Sequence, residues 1–88
     1  MAYKLRFAKS AIKDLTELDP PLVRAILRYL HQHVEMSDNP RVEGKALKGK
    51  LAEYWRYRIG DYRVLCVIQD NILTVLVIKA GHRKDIYR

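Results

Sequence analysis

The chain has 88 residues, of which 17 are basic and 10 acidic, so its formal net charge is +7. Hydrophobic residues make up 49% and charged residues 31%, a balance typical of one folded domain over residues 1–88 rather than of a disordered tail. No apolar run is long enough for a membrane span or a secretory signal. The single cysteine, Cys66, cannot close an internal disulfide, and no Cys/His cluster suits zinc. We therefore expect a cytoplasmic protein with no membrane contact, no metal and no cofactor.

The first half of the chain predicts one strand followed by two helices. Apolar and polar side chains alternate over residues 3–7, as in a half-buried strand. Apolar residues then recur at helical spacing over residues 8–18 and again over residues 23–34. Between them, Asp19-Pro20-Pro21 ends one helix and begins the next, with Asp19 as the predicted N-cap. Such a tight connection predicts an antiparallel helix hairpin.

The second half predicts a three-stranded antiparallel meander. An irregular basic segment covers residues 41–52, and strands follow over residues 54–59, 62–69 and 72–80. Turn residues separate these strands at Gly60-Asp61 and Asp70-Asn71. The last strand is almost wholly apolar, which places it in the centre of the sheet. The predicted fold class is α+β, with the N-terminal strand and the meander in one sheet and the helix hairpin on one face.

The surplus of positive charge is confined to two segments. Residues 41–63 contain seven bases and three acids, residues 79–88 contain four bases and one acid, and the rest of the chain is neutral. A localised surplus favours a polyanionic partner. The alternative is that these bases serve only solubility.

Few side chains remain as candidates for chemistry. The sequence has no phosphate-binding loop, dinucleotide fingerprint, nucleophile elbow or metal-binding histidine pair. Alternation places Trp55, Tyr57 and Ile59 on one face of their strand, and Tyr54, Arg56 and Arg58 on the other. Arginines on one sheet face can bind phosphates through two parallel hydrogen bonds. The alternative is a solvated strand face. The candidates are Arg56, Arg58, Arg63, His82, Arg83 and Tyr87, with Lys48 and Lys50 nearby in sequence.

Three stretches resemble the RelE branch of the RelE/ParE toxin superfamily. They are Leu47-Lys48-Gly49, the run YWRYRIGDYRV over residues 54–64, and the run GHRKDIY over residues 81–87. The resemblance covers essentially the whole chain. It implies a toxin that enters the ribosomal A site and cuts messenger RNA there. It also implies inhibition by a RelB-like antitoxin, with further assembly through that antitoxin and no direct DNA binding by the toxin alone.

The resemblance also implies roles for individual residues: Arg56 and Arg58 would bind RNA, and Arg63, Arg83 and Tyr87 would be catalytic. The residue types themselves add Lys48 and Lys50 to the RNA-binding set and His82 to the catalytic set. The two catalytic arginines would stabilise negative charge on the phosphate, and Tyr87 or His82 would transfer protons. Attack by the RNA 2′-hydroxyl would then give a 2′,3′-cyclic phosphate without a metal.

Two other functions compete with RNA cleavage. One is that of the ParE branch, which inhibits DNA gyrase and cuts nothing. The other is a plain RNA-binding module whose basic face lacks catalytic geometry. The four arginines and the tyrosine near the C-terminus favour the RelE branch.

Overall fold

The computed structural model describes residues 2–87, so Met1 and Arg88 of the predicted domain lie outside the described residues. The structure has two helices, α1 (Lys9–Thr16) and α2 (Pro20–Leu30). Its five strands are β1 (Lys4–Phe7), β2 (Lys45–Ala46), β3 (Trp55–Ile59), β4 (Tyr62–Gln69) and β5 (Thr74–His82). A π-helical turn over His31–Glu35 extends α2, and short 3₁₀ turns cover Gly49–Leu51 and Asp70–Ile72. Within residues 2–87, no helix is long and apolar enough to cross a membrane.

The five strands form one mixed sheet in the order β1-β5-β4-β3-β2. Strand β1 runs parallel to β5, and the other neighbouring pairs are antiparallel. The predicted α+β fold, the meander and the central position of the last strand are therefore confirmed. A bulge between Leu65 and Cys66 shifts the register of β4 and β5.

Strand β2 was not predicted, because its two residues lie in the segment expected to be irregular. Lys45 pairs with Arg56 and Ala46 with Trp55. Gly44 precedes them with a φ of +89°, and a Cβ atom there would come within 2.5 Å of the Arg56 carbonyl oxygen and of Trp55 Nε1. Only glycine allows this close approach without strain. Two residues carry no periodicity, and their pairing depends on contacts distant in sequence.

The helix hairpin and one face of the sheet enclose the hydrophobic core. Tyr57 is fully buried, and Trp55 and Ile59 pack against the core from the same strand face. This confirms the predicted assignment of the two faces of β3. Cys66 is also buried, and burial raises the pKa of its thiol, in keeping with the packing role that its apolar strand suggests. The buried core cluster is Ala11, Ile26, Leu30, Val34, Tyr57, Val64, Cys66, Val75, Val77 and Ala80.

The start of α2 differs in one detail from the prediction. Asp19 occupies the N-cap position, but its side chain makes no capping hydrogen bond. An N-cap side chain normally accepts from the second or third helical amide. Proline at the second position has no N–H, and the Leu22 amide already donates to the Asp19 carbonyl at 3.0 Å. The two prolines therefore start the helix without help from the carboxylate.

Trp55 joins the basic segment to the core and should be important for stability. Its indole packs against the core, and its Nε1 donates to the Glu43 carbonyl at 2.9 Å. We expect Trp55→Ala to lower the free energy of unfolding by about 3 kcal/mol through cavity formation and loss of this bond. Denaturant titration measures the change, and Trp55→Phe, which keeps a ring but no donor, should lose less. Unchanged stability of the alanine variant would contradict the core assignment.

A polar cluster ties three distant parts of the chain together. Arg41 donates from Nη1 and Nη2 to the two carboxylate oxygens of Asp70, at 3.0 and 2.9 Å. The Tyr3 hydroxyl donates to the same carboxylate. These bonds, first that from Arg41 and then that from Tyr3, lower the pKa of Asp70 from 3.8 to about 2. The cluster fixes residues just before β1, after α2 and after β4 relative to one another.

The lowered pKa of Asp70 makes part of the stability pH-dependent. The ionised carboxylate is favoured in the folded state, so its contribution is present above its ordinary pKa and is lost as pH falls from about 5 to about 2. We expect the difference in Tm between the wild type and Asp70→Asn to be largest near neutral pH and to shrink across that range. Asp19→Asn controls for the loss of one negative charge. A difference in Tm that stays the same at every pH would contradict the contribution of the ionised Asp70 to stability.

Candidate nucleic-acid interface

Basic side chains converge on the face of the sheet opposite the helix hairpin. Strand register places Lys45 opposite Arg56 on adjacent strands, and Arg58 directly opposite Arg63. Side chains at paired positions lie on the same face, and Arg56 and Arg58 share that face because they are two residues apart. We call the set Lys45, Arg56, Arg58, Arg63 and Tyr87 the basic face.

Arg56 has an unusual environment for a guanidinium. Its Nε is buried and has no hydrogen-bond partner within the described part of the chain. Its Nη1 lies 3.5 Å from the Tyr87 hydroxyl, a long and weak contact. A buried donor without a partner is costly.

Arg58 and Arg63 form a like-charged pair across β3 and β4. Arg58 is exposed, whereas Arg63 is only 7% exposed. The Arg63 Nη1 donates to the carbonyls of Gly60 and Tyr62 at 2.9 and 3.0 Å, which holds the guanidinium against the hairpin turn. Burial, and then repulsion from Arg58 and Arg56, lower the pKa of Arg63, although a guanidinium stays charged at neutral pH. A bound anion would relieve this repulsion.

Arg83 lies just beyond the end of β5, next to the β3–β4 hairpin. Its amide donates to the Asp61 carbonyl at 2.8 Å, which fixes the backbone of this turn. Its side chain is 55% exposed and contacts Asp61 only at 3.9 Å from Nε. Repulsion from Arg83 also contributes to the lowered pKa of Arg63. The guanidinium of Arg83 therefore lies beside the hairpin turn that holds Arg63 and is not held in a tight ion pair.

The two predicted proton-transfer residues lie on different sides of the sheet. Tyr87 is 48% exposed and its hydroxyl approaches Arg56 on the basic face. His82 pairs with Tyr62 at the end of β5, one position beyond the Arg63–Gly81 pair, so its side chain points to the opposite face. There its ring packs edge-on against Tyr62 at 5.3 Å, and its Nδ1 accepts from the Lys84 amide at 3.1 Å. The structure brings Tyr87, but not His82, to the arginines.

The two predicted RNA-binding lysines lie at the border of the site. Lys48 and Lys50 are exposed in the turn that follows β2. Within residues 2–87 no hydrogen bond or ion pair joins them to the arginines. They add positive charge along the approach to the basic face, where long-range attraction to a polyanion needs no direct contact.

Lys45 is a basic residue of the site that the sequence analysis did not select. The short strand β2 places it opposite Arg56. The charge count of residues 41–63 includes it, but alternation within β3 and β4 gives no information about a neighbouring segment. A pairing prediction for residues 45 and 56 is the signal that would have identified it.

The basic face has the chemical groups needed to bind and polarise a phosphodiester. Arginines supply planar pairs of donors for phosphate oxygens, and Tyr87 supplies a hydroxyl within reach of one of them. No carboxylate belongs to the set.

Comparison with known proteins gives consistent matches. The family model described as the ParE toxin of the type II toxin-antitoxin system parDE matches residues 5–87. Toxin RelG of Mycobacterium tuberculosis is 36% identical over 88 residues, covering 100% of this chain and 99% of RelG. A chain of the M. tuberculosis RelBE2 toxin–antitoxin complex aligns with a TM-score of 0.84 at 33% identity, covering 97% of this chain and 95% of that one. A mutant of Escherichia coli toxin RelE in the free state gives 0.78 at 26% identity, covering 96% and 86%.

These matches and the α+β fold define the class as toxins of type II toxin–antitoxin systems. Within that class, the chain belongs to the RelE/ParE superfamily and is a RelE-family toxin.

Proposed function

We propose that this toxin is a ribosome-dependent endoribonuclease that cuts messenger RNA and thereby inhibits translation. The observation that carries the proposal is the like-charged pair of Arg58 and Arg63 beside Arg56 on the basic face. Like charges directly opposite each other destabilise a sheet. A phosphate bound between these arginines would offset the repulsion that they impose on the sheet.

The proposed reaction uses groups of the chain, the RNA and solvent water. The 2′-hydroxyl attacks the adjacent phosphorus and loses its proton, which forms the 2′,3′-cyclic phosphate. The bond from phosphorus to the 5′ oxygen breaks, and that oxygen takes up a proton to leave as a free 5′-hydroxyl. Arg56 and Arg58 position the phosphate, and Arg63 and Arg83 stabilise the charge that develops on it. The Tyr87 hydroxyl gives its proton to the leaving 5′ oxygen, since His82 points away from the basic face. The proton lost from the 2′-hydroxyl passes to solvent water, and solvent restores the proton of Tyr87.

Purified toxin added to translating ribosomes tests the proposal. We expect cut message with 2′,3′-cyclic phosphate and 5′-hydroxyl ends, and no cutting of a DNA copy, which lacks the nucleophile. Intact message at toxin concentrations that stop translation would contradict nuclease activity and leave a non-catalytic RNA-binding module.

Inhibition of DNA gyrase is the second candidate, because the matching family model is described as a ParE toxin. A supercoiling assay with purified gyrase distinguishes the two functions. Inhibited supercoiling together with uncut message would favour gyrase as the target. The cluster of arginines with Tyr87, and the 36% identity to RelG, favour RNA.

An antitoxin is the proposed protein partner, as in the RelE–RelB complex of Pyrococcus horikoshii, to which this chain is 25% identical with a TM-score of 0.73. An apolar groove of about 390 Å³ lies between α1 and α2, and Ile12 and Leu27 are 51% and 39% exposed beside it. An acidic amphipathic segment would cover the groove and neutralise the basic face. We expect toxin and antitoxin to co-purify as a complex that does not cut RNA. Ile12→Asp should weaken that complex without lowering the activity of the free toxin.

A further inference from the structure

The turn that follows β5 carries the chain from the end of the sheet to Tyr87. Ile86 is 3% exposed and, with Leu18 and Ala80, lines a concavity of about 390 Å³ beside the C-terminal end of α1. The next residue, Tyr87, has its hydroxyl 3.5 Å from Arg56 Nη1 on the basic face. One residue is therefore anchored on the helix side of the sheet and the next reaches the opposite side. The path of this turn decides where the Tyr87 hydroxyl lies.

His82 supplies the acceptors for three consecutive amides of the turn. Its carbonyl oxygen accepts from the amides of Asp85 and Ile86, at 2.8 and 3.0 Å. Its Nδ1 accepts from the Lys84 amide at 3.1 Å. A backbone amide can only donate, so in this arrangement Nδ1 carries no proton and the ring N–H is at Nε2. Any residue at position 82 offers the carbonyl, whereas the third acceptor depends on the side chain.

The surroundings of His82 give this acceptor a fixed place. Its ring packs edge-on against Tyr62, with the ring centroids 5.3 Å apart, and the two residues pair in the sheet. The amide of the following residue, Arg83, donates to the Asp61 carbonyl at 2.8 Å. The turn therefore starts from a fixed point on the hairpin between β3 and β4. The imidazole acceptor extends this order by one residue, to Lys84.

We propose that His82 is a positioning residue for RNA cleavage, which acts through the turn over residues 83–87 to hold the Tyr87 hydroxyl on the basic face. The role rests on the proposed cleavage and requires no contact between the imidazole and RNA. Without the acceptor, the Lys84 amide bonds to water and the turn gains conformational freedom. A general acid must lie within hydrogen-bond reach of the leaving oxygen. A displaced Tyr87 therefore lowers the rate of cleavage rather than the affinity for the ribosome.

Two substitutions separate the acceptor of His82 from its ring. His82→Phe keeps a ring to pack on Tyr62 but has no acceptor, whereas His82→Asn keeps an acceptor near the place of Nδ1 but has no ring. In single-turnover cleavage at saturating toxin, we expect His82→Phe to be about tenfold slower than the wild type and His82→Asn to stay within about threefold of it. Ribosome binding should be the same in all three. A wild-type rate for His82→Phe, or a slower rate for His82→Asn than for His82→Phe, would overturn the positioning role.

A double-mutant cycle with Tyr87→Phe shows whether the effect of His82 passes through the Tyr87 hydroxyl. If it does, His82→Phe lowers the rate about tenfold when Tyr87 is present and less than about twofold when Tyr87→Phe has already removed the hydroxyl. Two losses that simply multiply would overturn the proposal, because they would show that the two side chains act independently.

Amide hydrogen exchange examines the turn without any nuclease activity. We expect the Lys84 amide to exchange severalfold faster in His82→Phe than in the wild type or in His82→Asn. Unchanged exchange would overturn the role of Nδ1, even if cleavage falls. Faster exchange with full cleavage would overturn the positioning role but not the nuclease. Absence of any cutting by the wild type would overturn the nuclease, and the positioning role with it.

Discussion

Arg83→Ala should lower the rate of message cleavage about a hundredfold or more, even at saturating toxin, and should change ribosome binding little. A donor that meets charge present only in the transition state affects the rate rather than the affinity. Arg83 fits this role because its guanidinium is exposed and makes only a 3.9 Å contact with Asp61. The remaining cations still attract the ribosome.

Single-turnover cleavage at several toxin concentrations separates the two effects. Lys84→Ala is the matched control, since it removes the neighbouring exposed positive charge and should leave the rate nearly unchanged. Recovery of the wild-type rate when Arg83→Ala is added in excess would make Arg83 a positioning residue. The stabilising role would then fall to Arg63 alone among the proposed pair.

The fold was largely predictable because its signals are local. Alternation defines β3, β4 and β5, and the prolines after Asp19 mark the connection between the helices. Strand β2 could not be predicted in this way. It exists because Gly44 adopts a positive φ and allows residues 45 and 46 to lie against Trp55 and Arg56. The strand therefore depends on tertiary contacts, and no periodic pattern within residues 41–52 predicts it.

Part of the candidate site could be predicted from the alternation of side chains along the strands. Arg56 and Arg58 share a face by alternation, and the tight turn at Gly60-Asp61 brings Arg63 opposite Arg58. The position of His82 depends on the register between β4 and β5, which includes a bulge at Leu65 and Cys66. One residue of register moves a side chain to the other face. Sequence proximity to Arg83 therefore did not place His82 in the site.

Arg58 and Arg63 look alike in the sequence but differ in how deeply their side chains are buried. Arg58 and Arg63 face each other, but Arg63 is 7% exposed and donates to two carbonyls of its own turn. Its guanidinium is fixed in orientation, whereas that of Arg58 is exposed to solvent. A fixed donor suits charge stabilisation, because it needs no reorganisation as the reaction proceeds.

Tyr87→Phe should lower the single-turnover rate of cleavage by about a hundredfold or more, the usual contribution of a general acid or base. Its hydroxyl lies 3.5 Å from Arg56 Nη1 on the basic face, and phenylalanine keeps the ring while removing the group that transfers the proton. His82→Asn is the matched comparison, because it removes the imidazole and keeps an acceptor for the Lys84 amide. It should retain most of the activity, since His82 packs on Tyr62 behind the sheet. The opposite result, with Tyr87→Phe active and His82→Asn inactive, would mean that the C-terminal turn rearranges on the ribosome and brings the imidazole to the phosphate.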